Sequence, residues 1–159
     1  MPEDFIPVNV PLLGEAEKRN LAACVDTGWI SSEGPFVREL ERGMAEVCGR
    51  RHGVAVSSGT AALDVLVAAL GLGPGDEVVL PAFTIISCVQ QIVRAGATPV
   101  FADCREDTWC LDAATVAPRI TPRTRAVLAV HIYGLSVDMG PLAALCRERG
   151  LTLLEDAAQ

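Results

Sequence analysis

The feature that most narrows the fold of this chain is an alternation of short, almost wholly apolar runs with segments of helical spacing. The runs are Val54-Ala55-Val56, Glu77-Val78-Val79-Leu80, Pro99-Val100-Phe101-Ala102, Ala126 to Val130, and Leu151 to Leu154. Between them, Thr60 to Leu70 places Leu63, Leu66, Val67 and Leu70 on one helical face. Ile85 to Arg94 reads as a helix followed by Gly96. Asp112 caps a short helix through Val116, and Asp138 to Arg149 is closed by Gly150. Gly73-Pro74-Gly75-Asp76 and Thr121-Pro122-Arg123-Thr124 read as turns. Strands joined by helices of this length pair in parallel through crossovers. Nearly continuous apolar strands are expected where helices cover both faces of a sheet. The spacing predicts an α/β domain with a mainly parallel sheet and flanking helices.

Residues 1–52 carry a different pattern. Gly14 to Thr27 reads as a helix ending at Gly28, and Pro35 suits the first turn of a second helix. Phe36, Val37, Leu40, Met44 and Val47 recur there at helical spacing, and Gly49 stops the run. The chain is thus expected to divide into an amino-terminal helical segment, 1–52, and an α/β segment, 53–159. Trp29 stands beside Ser31, Ser32 and Glu33 in the intervening loop, an odd place for a core residue. An interface or substrate role is expected for it.

The net charge is −7 and no basic cluster is present, which argues against nucleic acid as a partner. The start lacks the positive flank and apolar core of a secretory signal. The longest apolar stretch, around Val65 to Leu72, falls far short of the roughly 20 residues a membrane span needs. A cytoplasmic location is expected. The six cysteines form no C-x-x-C pair, and His52 and His131 match no zinc spacing. In a reducing compartment the cysteines read mostly as small buried apolar side chains.

Three segments could carry chemistry. Ser57-Ser58-Gly59-Thr60-Ala61-Ala62 lies between a strand and a helix. A helix amino terminus offers unpaired N–H groups and a positive dipole end, which suit an anion. Ser58 and Thr60 add hydroxyls, and Gly59 allows close backbone approach. Plain capping by Ser or Thr is the equal alternative. The usual phosphate loops are absent. Lys18 is the only lysine, so no Walker loop exists, and Gly71-x-Gly73-x-Gly75 follows a helix rather than a strand. The second segment is Leu153-Leu154-Glu155-Asp156 at a strand end. Its acids could hold Mg²⁺, cap a following helix, or pair with a cationic ring nitrogen of a cofactor such as pyridoxal phosphate. The third is Val130-His131-Ile132-Tyr133-Gly134. Its histidine is more often a hydrogen-bonded structural residue than a cofactor contact. Neither Cys88 nor Cys104 has a strand-end base placed to make it a nucleophile.

Taken together, the sequence resembles the DegT/DnrJ/EryC1/StrS family of pyridoxal-phosphate-dependent sugar aminotransferases. The resemblance is carried by GWISSEGPFV from Gly28, AVSSGTAAL from Ala55, GPGDEVVLPAFT from Gly73, GATPVFAD from Gly96, ITPRTRAV from Ile120, VHIYG from Val130 and LEDAAQ from Leu154. It implies the large domain of the aspartate-aminotransferase-like fold, fold type I. It implies that Ser58, Gly59, Thr60 and Ala61 hold the cofactor phosphate, that Asp156 meets the pyridine nitrogen, that Gln159 lies near the ring hydroxyl, and that His131 lies close by. Family members often carry an aromatic residue where this chain has Ile85, so either Ile85 or Phe83 is expected to cover the ring.

The opening is most similar to perosamine-synthase-like members. That implies conversion of a nucleotide-linked 4-keto-6-deoxy sugar to its 4-amino sugar, with glutamate as amino donor, in a homodimer. The resemblance places the Schiff-base lysine and the smaller carboxyl-terminal domain beyond residue 159. The chain is therefore expected to be an amino-terminal portion, inactive alone and with no catalytic residue of its own. Two alternatives remain open: a non-catalytic remnant or split-gene fragment acting as an interaction module, and a dehydratase of the same family.

Overall fold

A computed structural model describes residues 5–7 and 10–158 of the chain. It divides into two compact units, Met1–Ala55 and Val56–Gln159.

The first unit holds two helices, α1 (Glu15–Thr27) and α2 (Pro35–Val47). The carboxylate of Glu17 reaches back to accept from the Gly14 amide at 2.6 Å and so satisfies one orphan donor of α1. Gly28 ends the helix in the left-handed region at φ 76°, where a Cβ would be strained. Leu21 and Val25 of α1 are exposed. Pro35 occupies the first turn of α2, where its missing N–H costs nothing.

The run Val54-Ala55-Val56, expected as a strand, is not one. The amide of Ala55 donates to Glu41 Oε1 on α2 at 3.0 Å, so a side chain takes the donor that a strand neighbour would need. Val54 is 71% exposed. Three apolar residues in a row satisfy the strand pattern, but without a ladder partner they remain extended coil.

The second unit is a doubly wound α/β layer. In chain order it contains α3 (Gly59–Ala69), β1 (Glu77–Pro81), α4 (Ile86–Arg94), β2 (Thr98–Ala102), α5 (Ala113–Val116), β3 (Thr124–Val130), α6 (Met139–Arg149) and β4 (Thr152–Asp156). The strands form one sheet in the order β2-β1-β3-β4, with each neighbouring pair parallel. Pairing starts one residue late beside β1, where Glu77 faces Thr124 but Val78 faces Ala126. This turns the intervening Arg125 outward to reach Asp76 at 3.4 Å.

Period-two alternation sorts the core into two layers. Val78, Leu80, Ala126, Leu128 and Val130 pack with Leu63 and Val67 of α3 and with Cys88 and Ile92 of α4. Val79, Val127 and Ala129 pack on the other face with Val116, Leu142 and Cys146. Val78, Val79 and Leu80 of β1 are fully buried. Each such side chain contributes about 1.5–3 kcal/mol relative to exposure, which makes β1 the keel of the sheet. Of the cysteines, Cys88, Cys110 and Cys146 are buried, Cys24 and Cys104 are half-buried and Cys48 is exposed. Among the described residues no helix is long and apolar enough to cross a membrane.

Candidate active site

An open parallel sheet presents its functional loops at the carboxyl ends of its strands. Here that edge carries Phe83 and Thr84 after β1, Asp103 and Trp109 after β2, His131 and Tyr133 after β3, and Asp156 at the end of β4.

Asp156 is held through both of its carboxylate oxygens. Alternation along β4 places it on the layer of Leu154, facing α4, and its carboxylate meets that helix. Oδ2 accepts from the thiol of Cys88 at 3.1 Å, and Oδ1 accepts from the amide of Ala158 at 3.1 Å. The thiol in turn accepts from the Thr84 hydroxyl at 3.3 Å. Burial pushes the Cys88 thiol up to about 12, with the adjacent Asp156 carboxylate adding to the rise. A strand-end carboxylate therefore does stand beside Cys88, contrary to the expectation from sequence. It opposes the thiolate rather than activating it, so Cys88 is a donor and not a nucleophile. The i,i+4 spacing of Thr84 and Cys88 was visible in the sequence; the contact with a residue 68 positions away was not.

The SSGT loop leads into α3. Ser58 is the N-cap, and its Oγ accepts from the Ala61 amide at 3.2 Å. The Ala61 N–H is thus already engaged. Gly59 and Thr60 lie in the first turn, exposed, and no described residue accepts from their amides. Capping and anion binding are therefore not exclusive here: the cap uses one donor and leaves two at the positive end of the helix. Gly59 also meets the loop after β4, since a Cβ on it would stand 3.2 Å from the Cβ of Ala158.

His131 contributes to the edge through its backbone. Its amide donates to the Asp156 carbonyl at 3.0 Å. The ring belongs to the other layer: Nδ1 accepts from the amide of Val137 at 3.0 Å, and Nε2 lies 3.5 Å from Glu155 Oε2. An accepting Nδ1 assigns the proton of the neutral ring to Nε2.

Ile85 is the N-cap residue of α4 and is 58% exposed. Phe83 is instead engaged with Trp109 and Tyr133, at centroid distances of 5.4 and 6.3 Å. Trp109 and Tyr133 hold φ of 60° and 51°, a left-handed backbone that bulky residues adopt at a cost of about 1–3 kcal/mol each. Together with Thr108, Ile132 and Leu135 these aromatics line a cavity of ≈ 450 Å³. Nothing in the local sequence signals this cluster, because it joins the ends of separate strands.

Two further residues noted in the sequence belong to the first unit. Lys18 lies on α1 of the first unit, with a side chain 72% exposed and its Nζ 2.6 Å from Glu15. Trp29 is 48% exposed, and a Cβ on Gly34 would lie 3.5 Å from its own Cβ. Gln159 lies outside the described residues.

Comparison with known proteins identifies the family and the fold. The profile of the DegT/DnrJ/EryC1/StrS aminotransferase family matches residues 11–159. The GDP-perosamine synthase of Caulobacter vibrioides is 43% identical over 97% of the chain, which corresponds to 42% of that protein. Among solved structures, the aminotransferase TlmJ from Streptoalloteichus hindustanus superposes with a TM-score of 0.88 at 40% identity, over 96% of this chain and 42% of its own. NtdA from Bacillus subtilis, solved with bound cofactor PMP, superposes with a TM-score of 0.83 at 30% identity, over 99% of this chain and 38% of its own. The chain spans about two-fifths of the length of the relatives it matches. With the profile covering nearly all of its length, the chain belongs to the DegT/DnrJ/EryC1/StrS aminotransferase family.

Proposed function

We propose that this chain forms the front of the cofactor domain, residues 53–159, of a pyridoxal-phosphate-dependent aminotransferase that works in the cytoplasm on a nucleotide-linked sugar. The reaction is conversion of a 4-keto-6-deoxy sugar to its 4-amino sugar with glutamate as donor, in a homodimer. The similarity to a GDP-perosamine synthase supports the sugar. The bound PMP of NtdA, the aminated form of the same cofactor, supports the cofactor.

The observation that carries the reading is the meeting of an anion site with a carboxylate. Among the described residues nothing accepts from the amides of Gly59 and Thr60 at the head of α3, and Gly59 abuts the loop that follows Asp156. These residues fit pyridoxal phosphate, whose phosphate is anionic and whose ring nitrogen can take a proton. Gly59, Thr60 and the Thr60 hydroxyl would hold the phosphate. Ser58 keeps the helix end capped, and Ala61 is its partner. Asp156 would hold the proton on the ring nitrogen, Ile85 would cover the ring, and Gln159 would lie near the ring hydroxyl. His131 would support Asp156 from behind through its amide. When bound, the cofactor supplies the electron sink and the carrier for the amino group. We assign no catalytic part to Lys18, an exposed ammonium held by Glu15.

The test is cofactor titration of the full-length protein and its Thr60→Val variant. Loss of one charge-assisted hydrogen bond should weaken binding by on the order of 1–3 kcal/mol. Unchanged affinity would reduce the SSGT loop to a helix cap, and no binding by the parent protein would remove the cofactor reading.

A further inference from the structure

The site reading leaves one buried group unused. Cys88 is 1% exposed, and its sulfur lies between two polar partners at the sheet edge. Thr84 Oγ1 donates to Sγ at 3.3 Å, and Sγ donates to Asp156 Oδ2 at 3.1 Å. The chain of donors has one direction. Thr84 fills the acceptor side of the sulfur, so the thiol proton points to the carboxylate. Because burial keeps the thiol protonated, up to about 12, this donor persists at any working pH. The second oxygen, Oδ1, is held by the Ala158 amide at 3.1 Å. Two donors from separate elements, α4 and the loop after β4, therefore fix the plane of one carboxylate. Neither alone would do so, since one hydrogen bond leaves the group free to rotate about it.

We propose that Cys88, set by Thr84, is a positioning residue that orients the Asp156 carboxylate toward a protonated ring nitrogen. The inference rests on the cofactor reading above, and it adds a role that the spacing of the chain does not reveal. A cysteine suits the place. Its small polarizable side chain belongs to the apolar layer of Leu80 and Ile92, yet it keeps one donor for the carboxylate at the rim of that layer.

The experiment uses the full-length protein with Cys88→Ala, Cys88→Ser, Cys88→Val and Asp156→Asn. Infrared spectra of the cofactor-free protein read the S–H stretch directly. A displaced band that disappears in Cys88→Ala and moves in Asp156→Asn is expected. Titration with pyridoxal phosphate should then show affinity about fivefold weaker in Cys88→Ala, the effect of losing one modest hydrogen bond. Affinity should recover in Cys88→Ser, which restores a donor, and not in Cys88→Val, which restores only volume. The pH profile of the bound cofactor's visible absorbance should move and recover in the same pattern. Equal rescue by Val and Ser would reduce Cys88 to packing and overturn the proposal, as would an undisplaced S–H band. If Asp156→Asn weakens binding while Cys88→Ala does not, the proposal fails and the cofactor reading stands. If the parent protein does not bind pyridoxal phosphate, both fail.

Discussion

Gly59 and Ala158 join the two halves of the candidate site: a Cβ on residue 59 would stand 3.2 Å from the Cβ of Ala158. That separation is a few tenths of an ångström too short for comfort, so the head of α3 and the loop after Asp156 sit as close as they do because residue 59 has no side chain. Gly59→Ala brings two opposed effects. Alanine in a helical first turn gains roughly 0.5–1 kcal/mol over glycine through backbone entropy. The crowding against Ala158 costs a similar amount unless the loop moves. Overall stability should stay within about 1 kcal/mol of the parent protein. The loop shift should nevertheless separate the amides of Gly59 and Thr60 from Asp156 and weaken pyridoxal phosphate binding severalfold. Chemical denaturation and cofactor titration measured side by side check this; parallel losses in both would point to simple overpacking.

Asp156→Asn should separate charge from architecture. The single amide oxygen of asparagine can keep only one of the two donors at 3.1 Å, Cys88 or Ala158, and its NH2 faces the other, so stability should fall by about 0.5–1.5 kcal/mol, the loss of one hydrogen bond. The group proposed to hold a proton on the ring nitrogen would be lost. Removing one preorganised electrostatic group from a reacting centre typically costs on the order of 10²–10³ in rate. Stopped-flow measurement of the proposed half-reaction with glutamate in the full-length protein should show a loss of this size. An unaltered rate would move the role of Asp156 elsewhere.

Much of this was legible in the sequence, for identifiable reasons. Helices α1, α2 and α4 follow from strong punctuation: Gly28 and Gly49 at helix ends, Pro35 at a start, Gly96 after Arg94. The strands β1 and β3 follow from uninterrupted apolar runs. The pattern failed at Val54-Ala55-Val56, where hydrophobicity is right but the Ala55 amide is claimed by Glu41. Asp156 was visible because an acid at a strand end is a local signal. Its partner Cys88 was not, because what distinguishes it from the buried Cys110 and Cys146 is a contact made across 68 residues. The aromatic cluster of Phe83, Trp109 and Tyr133 was hidden for the same reason.

Gly53 should prove irreplaceable in the first unit. A Cβ there would lie 2.2 Å from the carbonyl oxygen of Glu41, a backbone atom that cannot swing away. The contact exists because the 53–55 segment lies close enough to α2 for Ala55 to reach the Glu41 carboxylate. Gly53→Ala should cost about 1–3 kcal/mol, the usual range for overpacking, and should weaken the Ala55–Glu41 bond with it. Glu41→Gln, which keeps an acceptor, should cost less. Urea denaturation of the three proteins orders them, and a neutral Gly53→Ala would show that the segment can lift off α2.

Glu77 should make stability depend on acid at the far end of β1. Its side chain is buried and accepts from the Thr121 hydroxyl and from Arg123 Nε, the latter at 2.8 Å. The Thr121 bond first, and the Arg123 guanidinium second, hold its carboxyl below the ordinary 4.5, against an opposing push from burial. For a group whose folded value is depressed, the stabilisation is complete above the unfolded value and is lost as pH falls through the folded one. The contribution should therefore be whole at pH 7, begin to fade below about 4.5, and vanish once the folded carboxyl is protonated. Arg123 is 68% exposed, so solvent screens its share, and the Thr121 bond should survive added salt better than the ion pair does. Glu77→Gln should lower the urea midpoint at pH 7, and the gap to the parent protein should narrow as pH drops from 5 to 3. A gap that stays constant over that interval would show that the carboxyl is not held low, and that Glu77 acts through packing alone.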